Sequence, residues 1–110
     1  MTRVLMGDFG ALHRLGLQEI LCRDGIELME TNARNVVERL VEALPDVVVL
    51  DLDDVHTGPL AERIVHQFPT VKVVACSAAQ PMMQIFPPLH YGESYLSDLD
   101  PALLTSAIQA

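Results

Sequence analysis

Val47-Val48-Val49-Leu50-Asp51-Leu52-Asp53-Asp54 is the stretch that decides the fold. Four consecutive apolar, mostly β-branched residues predict a strand buried on both faces, the kind found inside a parallel sheet. Three carboxylates follow where that strand would leave the sheet. In open α/β sheets, ligands and chemistry sit in the crevice beyond the carboxyl ends of the strands. Clustered carboxylates repel one another and gain little by packing. A cation or a reaction is therefore the natural reason for them, and a solvated acidic loop is the plainer alternative.

Apolar segments alternate with helical patterns on both sides of this stretch. Arg3 to Gly7 predicts a short strand ending at Asp8. A helix should follow from about Ala11 to Arg23, with Leu12, Leu15, Ile20 and neighbouring leucines facing inward and Asp24-Gly25 as its stop. Ile26 to Met29 predicts a second strand. Asn32 suits the cap of a helix running through Ala43, with an apolar stripe of Val36, Val37, Leu40, Val41 and Leu44. Pro45 breaks the chain before the central strand. Pro59 looks like a first-turn proline, opening a helix with Leu60, Ile64, Val65 and Phe68 on one face. Val71 to Cys76 predicts a fourth strand and Tyr95-Leu96 a short fifth. A last helix over about Pro101 to Gln109 should bury Leu103, Leu104, Ala107 and Ile108. Gln80 to Tyr91 has room for a fourth helix, but Pro81 and Pro87-Pro88 limit it to about two turns, short or irregular.

Five strand–helix units imply an α/β fold: a five-stranded parallel sheet with helices on both faces, in one domain over residues 1–110. Right-handed crossovers favour the flavodoxin-like, doubly wound strand order 2-1-3-4-5. In that order the first and third strands are neighbours. Asp8 and Asp51 would then lie side by side at the topological switch point.

Composition excludes several function classes. Half of the 110 residues are hydrophobic and a fifth are charged, which argues against disorder. A formal net charge of −8 argues against direct nucleic-acid binding by this domain, because phosphate contacts need clustered Lys and Arg. No apolar stretch approaches the roughly 18 residues of a membrane span, and no basic segment followed by an apolar run opens the chain. A cytoplasmic protein without membrane contact is expected. Cys22 and Cys76 lack metal-ligand spacing and read as reduced thiols. His13 and His66 read as surface or boundary residues on helices, and His56 has no second histidine at a metal-binding spacing.

The whole length resembles the receiver domain of bacterial response regulators, above all those joined to helix-turn-helix output domains. The likeness rests on Val4-Leu5-Met6-Gly7-Asp8, Leu15-Gly16-Leu17 with Ile20-Leu21, Pro45 to Leu52, Val73 to Ala78, and Tyr95-Leu96 before Asp100-Pro101. It implies a two-component, phosphorelay-type signalling module regulating transcription through a fused or partner output, not an enzyme. It further implies that Asp51 accepts a phosphoryl group from a histidine kinase. Asp8, Asp51 and the backbone carbonyl of Asp53 would hold Mg²⁺, and Ser77 and Tyr95 would act as the switch. A carboxylate can attack phosphorus when a divalent cation neutralises the phosphoryl oxygens and holds the acceptor in line.

The departures point to a degenerate pocket. The family's second acid after the first strand is replaced by Phe9. Its lysine after the fifth strand is missing: the position falls at Ser97 or Asp98, and Lys72 is the one lysine in the chain. A lost charged hydrogen bond is worth roughly 1.5–3 kcal/mol. The expectation is weak Mg²⁺ binding and control mainly by a partner, ligand or homodimer, with Met82, Met83, Ile85, Phe86 and Leu89 as the contact surface and core packing as the alternative use of that segment. A second resemblance is to haloacid-dehalogenase-type phosphatases, in which Asp51 would be the nucleophile and Asp53 the general acid/base. Against it, no lysine follows Ser77 and the motif comes after two strand–helix units.

Overall fold

The run at Val47 forms the strand its composition demands, and the rest of the molecule is wound around it. A computed structural model describes residues 2–7, 9–23, 25–30, 36–88 and 93–109. In chain order the elements are β1 (Thr2–Met6), α1 (Ala11–Leu21), β2 (Ile26–Glu30), α2 (Val36–Ala43), β3 (Val47–Asp51), α3 (Thr57–Gln67), β4 (Lys72–Cys76), β5 (Met82–Phe86), β6 (Tyr95–Asp98) and α4 (Pro101–Gln109). They build one sheet in the order β2-β1-β3-β4-β5-β6. The first four strands are mutually parallel. This is the α/β, doubly wound, flavodoxin-like arrangement, with the expected order 2-1-3-4.

Strand alternation divides the core between the two faces. Val4, Met6, Val47, Val49, Val74 and Cys76 pack on one side with Leu17 and Leu21 of α1 and Leu104 and Ile108 of α4. Leu5, Val48, Leu50, Val73 and Ala75 pack on the other with Val36 and Leu40 of α2 and Ala61, Ile64 and Val65 of α3. Because helices cover both faces, β3 has no polar face to show, and Val47 to Leu50 are all buried.

The carboxyl-terminal third corrects the five-stranded, all-parallel expectation. No shortened fourth helix forms at Met82–Phe86. This segment is β5, antiparallel to β4, and β6 is antiparallel to β5. The physical reason is its position between Pro81 and Pro87, which leaves five residues, too few for a stable helix but enough for a strand. Met83 and Ile85 enter the core shared with α1 and α4, and Phe86 enters the opposite one. The contact surface expected of Met82, Met83, Ile85 and Phe86 is therefore largely core, with Met82 half-buried. Leu89 lies outside the described residues.

Two helix faces also differ from the apolar-stripe reading. Leu12 and Leu15 are 86% and 61% exposed, while Leu17 and Leu21 point inward. In α2 the buried set is Val36, Leu40 and Ala43, and Val41 and Leu44 are exposed. Leu44 has φ 47°, a left-handed conformation that ends α2 just before Pro45. α3 and α4 keep their expected bounds closely, although Leu103 of α4 is partly exposed. Asp100 caps α4 by accepting the Leu103 N–H at 2.8 Å. Asp24 and Asn32 lie outside the described residues.

Candidate functional site

Asp51 is the last residue of β3, half-buried at the carboxyl end of the sheet. Its backbone faces Cys76 across the β3–β4 ladder, and the Leu52 N–H donates to the Cys76 carbonyl at 3.0 Å. On the other side, the Gly7 N–H donates to the Val49 carbonyl at 2.8 Å, so the end of β1 arrives beside the end of β3. A side chain at Gly7 would meet Leu50 Cδ2 at 3.0 Å and the Val49 carbonyl oxygen at 3.4 Å, which is why the glycine suits this junction. Asp8 itself lies outside the described residues.

The loop after Asp51 is tied back on itself. The Asp53 N–H donates to Asp51 Oδ1 at 3.0 Å, and the His56 N–H donates to Asp54 Oδ1 at 2.8 Å. Thr57, buried as the first residue of α3, donates its hydroxyl to the Asp51 carbonyl. These bonds hold the acidic loop against the sheet end and fix one oxygen of the Asp51 carboxylate.

The Asp53 side chain turns away from Asp51 toward the loop after β4. Its Oδ1 accepts the Ser77 hydroxyl at 2.7 Å, and its Oδ2 accepts the N–H groups of Ala78 and Ala79 at 2.8 and 3.2 Å. The Ser77 hydroxyl and the Ala78 N–H hold the exposed Asp53 carboxyl below the ordinary aspartate range against desolvation, and the Ala79 N–H and the His13 charge add to the lowering. Ser77 is buried, with its oxygen also accepting from Ala79 and Gln80. Asp53 and Ser77 thus meet through side chains. The receiver resemblance assigns Asp53 a backbone carbonyl and the phosphatase resemblance a general acid/base carboxyl; neither pairs its side chain with Ser77, and neither points to Thr57. The available signal was Ser77-Ala78-Ala79, a hydroxyl followed by small residues at a strand end.

The other expected site residues are scattered. Phe9 is buried in the core that contains Leu17 and Met83, its ring edge-on to His13 with centroids 4.8 Å apart. Ser97 and Asp98 pair with Met83 and Met82 at the site end of β6. The inserted β5 puts β6 three strand spacings from β3 instead of two, roughly 14 Å against 10 Å. Tyr95 is 52% exposed and pairs with Ile85, lower on the same edge strand, so it is not brought to Ser77. Lys72 donates to the Ala107 carbonyl at 2.7 Å, at the opposite end of β4 from Cys76. Among the described residues no ion pair involves Asp51, Asp53 or Asp54, and no group of three His, Cys, Asp or Glu side chains is placed to hold a metal. Burial, reinforced by the Asp51 charge, pushes the Cys76 thiol up to about 12.

A doubly wound sheet with a carboxylate at its switch point and a hydroxyl just past the neighbouring strand is the arrangement expected of a receiver-type signalling fold. Comparison with known proteins gives it a family. The chemotaxis protein CheY of Thermotoga maritima is 32% identical over 80 residues, covering 69% of this chain and 67% of that protein. A protein-glutamate methylesterase/protein-glutamine glutaminase of Archaeoglobus fulgidus is 42% identical over 53 residues, 46% of this chain and 15% of that protein. Neither a protein-family model nor a solved structure matches the chain. The chain belongs to the response-regulator receiver family and is a receiver signal-transduction module.

Proposed function

We propose that this receiver keeps Asp51 as its acceptor position but is controlled mainly without phosphorylation. The observation that carries this reading is the Asp51 surroundings: a carboxylate beside Asp53 and Asp54, with no ion-pairing cation among the described residues. A phosphoryl group on Asp51 would add charge where the family's lysine is missing, an unfavourable change without a counter-ion. Control passes instead to a partner protein, a small ligand or a second copy. A histidine kinase remains a weak phosphodonor, and a fused or partner output, transcriptional in the closest reading of the sequence, receives the signal. The exposed Tyr95, Leu96 and Leu103 take over as the partner-facing surface from the buried methionine segment. The module is not an enzyme and works in the cytoplasm; among the described residues no helix is long and apolar enough to cross a membrane.

The donor set fits Mg²⁺ in kind. Asp51, the Asp53 backbone carbonyl and, from the sequence reading, Asp8 would supply its oxygen ligands. Bound there, the ion would neutralise phosphoryl oxygens facing Asp51. The Asp51 oxygen that accepts the Asp53 N–H is already engaged, which favours weak binding. A phosphatase using Asp53 as general acid/base is disfavoured because both of its carboxylate oxygens are engaged by Ser77, Ala78 and Ala79, away from Asp51.

The test is labelling with acetyl phosphate and Mg²⁺, read by mass spectrometry. Slow, sub-stoichiometric modification confined to Asp51 and absent from Asp51→Asn is expected. Rapid, complete modification would overturn control without phosphorylation, and turnover of an aryl phosphate abolished by Asp53→Asn would restore the phosphatase.

A further inference from the structure

We propose that Asp53 is a built-in latch: its carboxylate fills the anion cradle formed by Ser77, Ala78 and Ala79, and so holds the switch hydroxyl while Asp51 is unmodified. This deepens the receiver reading of Asp51 and rests on it.

The argument is one of donors and acceptors. A serine hydroxyl has one hydrogen to give, and Ser77 gives it to Asp53 Oδ1 at 2.7 Å. Its oxygen is satisfied as well, accepting the N–H groups of Ala79 and Gln80, each at 3.1 Å. The Ala78 N–H donates to Asp53 Oδ2 at 2.8 Å, and the Ala79 N–H is shared between that oxygen at 3.2 Å and Ser77. The loop is pinned behind these groups, with the Ser77 N–H on the Met82 carbonyl at 3.1 Å and the Met82 N–H on the Gln80 carbonyl at 2.8 Å. The cradle is therefore a fixed feature at the junction of β4 and β5, and its occupant comes from the loop after β3.

Asp53 also touches Asp51, through its own N–H on Asp51 Oδ1 at 3.0 Å. Acceptor and cradle thus lie on the two sides of one residue. A phosphoryl group on Asp51 could take the Ser77 hydroxyl and the Ala78 N–H only by displacing the Asp53 carboxylate, with which it shares the sign of its charge. Charge-assisted bonds of this kind are about twice as strong as neutral ones, so the resident group competes well. The Ser77 loop is held in one arrangement, and releasing Asp53 is the event that frees it.

Two readouts on the full chain test the latch, comparing Asp53→Ala with Asp54→Ala. The control removes the same charge one residue further on, from a group bonded to its own loop. Amide hydrogen exchange at Ala78, resolved by NMR, should quicken roughly tenfold or more in Asp53→Ala, as expected for a lost bond to a charged group, and stay within about twofold in Asp54→Ala. Beryllofluoride with Mg²⁺, a phosphoryl mimic, should bind Asp53→Ala about tenfold tighter than Asp54→Ala. Unchanged exchange at Ala78 overturns the latch. Equal gains in beryllofluoride affinity also overturn it, by reducing the effect to general charge. Binding to none of the proteins overturns the acceptor reading of Asp51 and the regulatory role with it; the Ala78 exchange rates then show whether the Asp53 contact itself exists.

Discussion

Truncating Met83 is the sharpest test of the strand that replaces the expected helix. Met83 is 1% exposed and packs in the core with Val74, Cys76, Ile85 and Leu104. Replacing it with alanine removes three heavy atoms from a filled space. The transfer contribution is about 0.8 kcal/mol per methylene-sized group, and the residual cavity brings the total to roughly 2–5 kcal/mol. Met82, one residue earlier, points to the other face and is half-buried, so Met82→Ala should cost under about 1 kcal/mol. Urea unfolding followed by circular dichroism reads both. With a slope of about 1–3 kcal/mol per molar, the Met83→Ala midpoint should fall by roughly 1–3 M and that of Met82→Ala by a few tenths. A helix over the same residues turns Met82 and Met83 only about 100° apart, without strict alternation between faces. Equal losses at the two positions, or the larger loss at Met82, would refute the strand.

Gly7→Ala should destabilise the fold by about 1–3 kcal/mol, because the new methyl crowds buried Leu50 and the Val49 carbonyl; an unchanged melting temperature would contradict that close approach. Iodoacetamide at pH 8 should label exposed Cys22 alone, with Cys76 reacting only on unfolding, and two labels on the native protein would count against the buried thiol. The Cys76 value is raised from 9.0 to about 12 in the folded state, so its contribution to stability is intact below about pH 9 and is lost as pH climbs from there toward 12. Asp53 shifts the other way, below 3.8, so its contribution is complete above that pH and is lost as pH falls beneath it. The stability difference between the natural chain and Asp53→Asn should accordingly shrink in acid; a gap that widens there would refute the hydrogen bonds drawn to Asp53.

The central strand was legible because burial on both faces leaves a signature no amphipathic element shares, the unbroken run Val47 to Leu50. α3 was legible for the complementary reason: Leu60, Ile64, Val65 and Phe68 recur at helical spacing and do pack on one core. The phase of α1 was not, since leucines at 12, 15, 17 and 21 surround much of the helix. The choice fell to packing against Phe9 and α4, which local periodicity does not encode. Met82–Phe86 failed for another reason: the five residues between prolines are too short for a stable helix, and the edge of β4 that they pair with as a strand is not visible in their local pattern. At the site, the place of the Asp51 carboxylate at the strand end could be read, but the rotamer that sends Asp53 to Ser77 depends on two loops far apart in sequence.

The antiparallel run β4-β5-β6 changes how the chain can assemble. Its partners are close in sequence, Cys76 with Met83 and Ile85 with Tyr95, so this meander zips up through short loop closures. The end of β3 beside β1 has no such shortcut, because Val4 must find Val47 across two intervening helices. By sequence separation alone, strand pairing is cheapest to close in the carboxyl-terminal half, and the β1–β3 junction beside Asp51 is the costlier closure.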